Sequence, residues 1–377
     1  MNFGFTEEQE LLRQEVRKFL DAHASLEEVR KLVETPEGFS RELWKRIGEL
    51  GWIGLTIPEA YGGAGLGWVD LTVVLEEMGR TLFPSPYLAT TLAAAAIAEA
   101  GSDAQRKRWL PALADGSKIA TLAVAEAGDR AAPEGIQLAG VPAADGFELR
   151  GEKIQVLDGA AADLLVVAFR SGRGAADLSL AVLESGAPGV AVESTPCIDT
   201  TQRVARLRLD GARVGRAEIL GGGPAWPALA RTLDRAAAAV TAEMIGAAEG
   251  ALYLTVGYTR QREQFGSPIG RFQGVKHPLA EMYVDVESFK SLLYYAAWCL
   301  DTGDADTPRA VSLAKAYASE AFARIGIDAV GLHGGIGYTW EYDAQLFLKR
   351  SKWSRPLFGD ADHHYDRVAA GWREGGT

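Results

Sequence analysis

The chain has 377 residues, more than one small core needs, so two or three domains are expected. Its composition, 47% hydrophobic and 24% charged, is that of an ordinary soluble globular protein. A net charge of −11 argues against nucleic acid as the main partner, because phosphate binding needs a positive surface, but it leaves room for a local positive pocket.

The opening residues, Met1 to Gln9, lack the basic start and apolar run of a signal peptide. Thr6-Glu-Glu-Gln9 forms a capping box, and Leu11, Leu12, Val16, Phe19 and Leu20 then recur at helical spacing. A second helix carries Leu43, Ile47 and Leu50. Trp52–Pro58 reads as extended, and Tyr61–Gly67 reads as a glycine loop that lacks the spacing of a dinucleotide fingerprint. Helices over Val69–Met78 and Tyr87–Glu99, with the segment Asp103–Gly116, complete an expected N-terminal helical domain, 1–117. The apolar stretch Leu92–Ala98 is far short of the roughly 20 residues a membrane span requires.

The pattern then changes to short β-rich runs: Ile119–Val124, Phe147–Leu149, Leu164–Phe169, Leu178–Leu183, Val190–Val192 and Val204–Leu209. Gly, Pro and Asp punctuate them, which predicts a compact, barrel-like β-domain over 118–222, closed by Gly221-Gly-Gly-Pro224. Amphipathic patterns return over Arg231–Tyr258, Val275–Leu300, Ala305–His333 and Asp343–Arg350, enough for a C-terminal four-helix bundle, 223–377. The expected class is therefore α+β: helical domain, β-domain, helical bundle.

Cys197 and Cys299 form no metal spacing, and a reducing, cytoplasmic setting fits them. His363 and His364 point to different sides of a helix with no third ligand nearby, so no metal site is expected.

The densest signal is the stretch from Tyr258 to His277. It breaks a long helix at Phe265-Gly-Ser-Pro268 and opens a new one at Phe272-Gln273. Arg262 can hold a pyrophosphate bidentately, Phe265 offers a flat apolar surface, and Gln273 supplies an amide donor and acceptor. The order Tyr, Arg, Gln-Phe-Gly-x-Pro-Ile, Phe-Gln resembles the FAD-binding signature of the acyl-CoA dehydrogenase family. The α, β, α order of the whole chain is similar to that family's architecture.

The resemblance implies FAD as cofactor, lying between domains and between subunits. It also implies an acyl-CoA substrate, an electron-transfer flavoprotein as acceptor, and a homo- or hetero-tetramer of same-fold chains. It adds a second phosphate-side element, Leu332-His-Gly-Gly-Ile-Gly-Tyr338, in which His333, Gly334, Gly335 and Gly337 would serve FAD. Gly331 stands where the family usually has Gln. On the flavin-ring side the chain departs further. Val124-Ala-Glu-Ala-Gly-Asp129 has Ala125 at a threonine position, and Lys153-Ile-Gln-Val-Leu-Asp158 has Gln155 at a tryptophan position and Leu157 at a second threonine position. The family's general base is commonly a Glu in a Tyr-Glu-Gly-Thr string, where this chain has Phe358. Asp360 and Asp234 are the substitutes in sequence; Asp360 reads equally as a helix N-cap, Asp234 as half of a surface pair, and Glu243 as a helix contact. Trp340, Trp353 and Phe358 narrow the pocket or pack as core. The implied activity is α,β-dehydrogenation of an acyl-CoA from a fatty-acid or steroid side chain. The chain would act as one subunit of a mixed oligomer, as a self-sufficient homotetramer using Asp360 or Asp234, or as a non-catalytic binding subunit.

Overall fold

The computed structural model describes residues 4–128, 132–174 and 176–374. Six helices come first: α1 (Glu7–His23), α2 (Leu26–Val33), α3 (Arg41–Glu49), α4 (Trp68–Arg80), α5 (Tyr87–Ala100) and α6 (Asp103–Ala114). The Thr6–Gln9 capping box starts α1 as the sequence predicts, and a second one, Ser102–Gln105, starts α6. Trp52–Pro58 is not extended. It is a run of turns, with Leu55 N–H bonded to Trp52 O and Ile57 N–H to Gly54 O. Gly51 takes φ +76°, and a Cβ on Gly54 would lie 3.0 Å from Ala114 Cβ, so this segment packs by close approach and not by strand pairing.

The middle of the chain is one curled seven-stranded sheet in the order β1-β4-β2-β3-β7-β6, with β5 on the other side of β4. The strands are β1 (Ala120–Ala123), β2 (Ala139–Ala143), β3 (Gly146–Leu157), β4 (Leu164–Arg170), β5 (Leu178–Glu184), β6 (Val190–Thr195) and β7 (Val204–Gly215). β3 runs well past the expected Phe147–Leu149, and β2 has no counterpart among the expected runs. β3 and β7 pair with two register irregularities, one between Lys153 and Val156, where Gln155 takes φ +52°.

Helices return as α7 (Trp226–Gln261), α8 (Gln273–Thr302), α9 (Thr307–His333), α10 (Ala344–Ser354) and α11 (Ala361–Glu374), a bundle with a fifth member. A two-residue ribbon, β8 (Glu263–Gln264) with β9 (Ser267–Pro268), separates α7 from α8. α7 and α4 approach backbone to backbone. A Cβ on Gly79 would collide with the Glu243 carbonyl oxygen, and one on Gly246 with that of Glu76. Among the described residues no helix is long and apolar enough to cross a membrane.

Candidate functional site

Between the sheet and the C-terminal helices lies a cleft of about 440 Å³. Its sheet wall includes Ala125, Gln155 and Leu157, and its helical wall includes Trp353 and Phe358. The three positions singled out in the sequence as flavin-side departures therefore share one cavity with the position singled out for the base. Asp129, at the end of the first of those strings, lies outside the described residues.

The sheet wall is braced by an ion pair between buried Lys153 and Glu126, which itself lines the cleft. Lys153 Nζ, with no exposed surface, donates to Glu126 Oε1 at 2.6 Å and to Val124 O at 3.0 Å. The Glu126 carboxylate also accepts the backbone N–H groups of Gln137 and Leu138, each at 3.0 Å. Burial outweighs the carboxylate and pulls the Lys153 ammonium down to about 8. Sequence reading passed over this lysine's burial, because a lysine on a strand looks solvated until its partner strand and loop are known.

A second charged group sits beside the cleft, on residues adjoining its lining. Arg350 of α10 is buried, bonds Asp199 and Thr201 Oγ1 (2.7 Å), lies 3.9 Å from Glu243 Oε2, and stacks 5.6 Å from the Trp353 ring centroid. Glu243, read from sequence as a helix contact, is buried, and its Oε2 has no hydrogen-bond partner. Burial raises its carboxyl to about 7, and raises Asp158 to about 8 with Glu243 adding to the shift.

The two carboxylates nominated as bases have other work. Asp360 is exposed and accepts the His363 N–H at 2.9 Å, which makes it the N-cap of α11. Asp234 is buried and paired with Arg367 Nη2 at 2.7 Å, so it is no surface pair with Arg235, which bonds Glu99 instead. Neither lines the cleft. Among the described residues no histidine, cysteine and carboxylate group could hold a metal ion. His364 is instead buried against Ser312 Oγ (3.3 Å) and Phe358 O (3.2 Å).

The phosphate-side residues form a separate, open surface. Arg262 is the C-cap of α7, Phe265 stands 92% exposed at φ +55°, and Gln273 opens α8. Arg260, Arg262 and Arg271 are all exposed. At the end of α9 the glycine loop forms a 3₁₀ turn, Gly334–Tyr338. Nothing stands within 4 Å of where a Cβ would sit on Gly334 or Gly335, so their backbone is open to a ligand. A Cβ on Gly337 would press 2.7 Å from Val330 O, so only glycine lets the loop fold back onto its helix. His333 is buried; its Nδ1–H donates to Ala329 O at 2.6 Å, which leaves Nε2 a bare acceptor without a partner. Burial also holds this imidazole below its ordinary pKa, hence neutral. Arg30 of α2 braces the loop through Trp340 O (2.6 Å) and Asp343 (2.7 Å), so Trp340 belongs to this surface and Trp353 and Phe358 to the cleft. None of Arg262, Phe265, Gln273, His333 or the loop glycines lines the cleft.

Comparison with known proteins agrees along the chain. Residues 6–117 match the acyl-CoA dehydrogenase N-terminal domain, and 225–372 match the acyl-CoA dehydrogenase C-terminal domain. Acyl-CoA dehydrogenase IpdE2 of Mycolicibacterium smegmatis is 34% identical, over 97% of this chain and 99% of the relative. The structure of the ChsE4-ChsE5 complex from Mycobacterium tuberculosis superposes with a TM-score of 0.90 at 30% identity, covering 100% of each chain. A variant of the Tcur3481-Tcur3483 steroid ACAD gives 0.88 at 35%, covering 98% of each chain. With both terminal domains matched and full-length relatives above 30% identity, the chain belongs to the acyl-CoA dehydrogenase family.

Proposed function

We propose that the chain is one subunit of a mixed acyl-CoA dehydrogenase assembly with FAD sites shared between same-fold chains. The carrying observation is the separation of the two half-sites: an exposed phosphate grip around Arg262 and the glycine loop, and a cleft elsewhere that contains none of those residues. A grip that faces outward suits a cofactor seated mainly in a neighbouring chain.

The residues fit such a ligand. Three exposed arginines and open glycine backbone together offer charge and N–H donors to a pyrophosphate. FAD, when bound, supplies the hydride acceptor for oxidation of the acyl chain between its α and β carbons. The proton from the α carbon needs a base. In this chain Glu126 is the carboxylate on the cleft wall, and Lys153 and two backbone N–H groups already engage it. The base is therefore assigned to the partner's cleft, and this chain's role there is to hold and orient the cofactor. Polycyclic acyl thioesters are the class to test first, because one relative is a steroid acyl-CoA dehydrogenase; an electron-transfer flavoprotein takes the electrons onward.

The experiment is to purify the chain alone and together with a same-fold partner, measuring flavin per chain and dye reduction with linear and polycyclic acyl-CoA. Flavin and turnover should appear only with the partner, and Arg262→Ala should strip flavin from the assembly. A chain that alone holds stoichiometric flavin and turns over substrate, with activity lost in Asp360→Asn or Asp234→Asn, would establish a homotetrameric enzyme in place of this reading.

A further inference from the structure

Glu243 of α7 is buried, and its Oε2 has no hydrogen-bond partner. Burying a polar atom unpaired is costly, and a carboxyl so placed is pushed toward its neutral form. Within ion-pair range stands Arg350 Nη1, at 3.9 Å, too far for a hydrogen bond. The other two guanidinium nitrogens are committed, Nε to Asp199 and Nη2 to Thr201 Oγ1 at 2.7 Å. Asp199 and Thr201 belong to the loop 196–203 between β6 and β7, whose Pro196, Cys197 and Ile198 line the cleft. Arg350 belongs to α10, whose Lys352 and Trp353 line it too. The guanidinium therefore ties two borders of the cleft together. Glu243 would add a third anchor, on α7, if the gap closed by about 1 Å. The Asp199 and Thr201 bonds need not be given up, because each uses a different nitrogen of the fork.

Ionisation decides whether that gap closes, since a charged carboxylate draws the cation far more strongly than a neutral one. Burial raises the Glu243 carboxyl, Arg350 opposes that shift and Asp199 adds to it. Asp158 interacts with Glu243 from the end of β3, and Arg203 of the loop interacts with Asp158. Charges on the other elements packed against α7 are turned to partners of their own. Glu76 and Glu77 of α4 hold Arg13, Arg17 and Arg80. Glu99 of α5 holds Arg231 and Arg235, and Lys290 of α8 holds Glu249. Lys315 of α9 donates to Arg355 O and Gly359 O, and Arg367 of α11 holds Asp234. Glu243 therefore answers to Arg350, Asp199 and Asp158.

We infer that Glu243 is a proton-operated positioning residue: ionised, it takes Arg350 Nη1 and completes a clasp joining α7, α10 and the loop 196–203; protonated, it leaves the clasp open on the α7 side. The loop is then held more firmly at alkaline than at acid pH, with the change centred near pH 7. The sign separates this role from a merely structural one. A carboxyl whose folded pKa is raised contributes less to global stability as pH rises through that range, so general weakening would loosen the loop where the clasp tightens it. The inference goes beyond the shared-site reading and holds wherever the flavin is seated.

The test labels the full-length chain with N-ethylmaleimide from about pH 6 to pH 8.5 and reads each cysteine by peptide mass. Cys197 is half-buried in the loop and the cleft wall, whereas Cys299 is buried. Dividing the wild-type rate at Cys197 by that of Glu243→Gln at the same pH removes the thiol's own ionisation. The ratio should be near one at pH 6 and fall about tenfold by pH 8.5, the size of one hydrogen bond to a charged group. Amide hydrogen exchange over 196–203 in the wild type, corrected for the intrinsic rate at each pH, should slow across the same range. It decides alone should Glu243→Gln not fold. A labelling ratio that stays flat, or a loop whose exchange quickens as pH rises, would overturn the clasp.

Discussion

Replacing Lys153 by Met probes the wall that shapes the cleft. The substitution keeps most of the buried stem and deletes the charge, leaving Glu126 without its 2.6 Å partner and Val124 O without its donor. Removing one member of a buried pair costs about 3–5 kcal/mol when the other is stranded. Here the Glu126 side chain keeps 13% exposure and two backbone N–H donors, so the expected loss falls below that range, at about 2–3 kcal/mol. The pH dependence has a definite sign. The folded ammonium titrates near 8 against the ordinary lysine value of 10.5 in the unfolded chain, so between those values the unfolded chain binds more protons and wild-type stability rises with pH. Lys153→Met lacks this term, and its deficit should widen above pH 8 by at most about 1.4 kcal/mol per pH unit. Urea unfolding at pH 7 and pH 9.5 measures both quantities, and flavin retained through gel filtration by the assembly should fall in parallel. A deficit under about 1 kcal/mol at pH 7, or one that shrinks on going to pH 9.5, would refute the account of this pair as the support of the cleft wall.

Arg262→Lys should lose most of the bound flavin that Arg262→Ala loses, because an ammonium cannot make the forked contact to a pyrophosphate; flavin absorbance per chain in the assembly measures it. Asp158→Asn should be more stable than wild type at pH 8.5, by a few kcal/mol, and equal to it near pH 4. The buried carboxyl titrates near 8 when folded, so the native state binds the extra proton and wild-type stability drains away as pH rises from about 4 to 8; urea midpoints at the two pH values decide it. Asp360→Ala should cost about 1 kcal/mol as a lost N-cap while leaving turnover of the assembly intact, to be checked by thermal unfolding and the dye-reduction assay.

Much of this architecture is written in local chemistry. The Thr6 capping box, the helical repeat of the C-terminal domain and the Arg262–Gln273 string all depend on neighbours in sequence, and the helices and their caps stand where those signals place them. β3 is different. Arg150, Glu152 and Lys153 interrupt its apolar pattern, and only the pairing with β7 makes a strand of them. β2 is mostly exposed and carries Pro142, so nothing in its own residues announces an edge-like strand. The buried charges are the least legible. Lys153, Lys315 and Arg350 read as solvated until partners at positions 126, 359 and 199 close on them. The carboxylates near the Phe358 string follow the same rule: proximity in sequence singled out Asp360, and the turn into α11 points it at a backbone N–H outside the cleft.

The contact of α4 with α7 bears on how the molecule moves. With Gly79 and Gly246 each set against the other helix's carbonyl oxygens, there is no side-chain layer between the two backbones to act as a lubricant. Sliding or rolling one helix over the other would drive a carbonyl into a Cα, so the N-terminal helices and the bundle behave as one mechanical block. Opening of the cleft must then come from its other borders: the sheet as a unit, or the short connection between α10 and α11. An added methyl at Gly246 would wedge the block apart and be felt along all 36 residues of α7, from the sheet junction at Trp226 to the end of the helix beside Arg262.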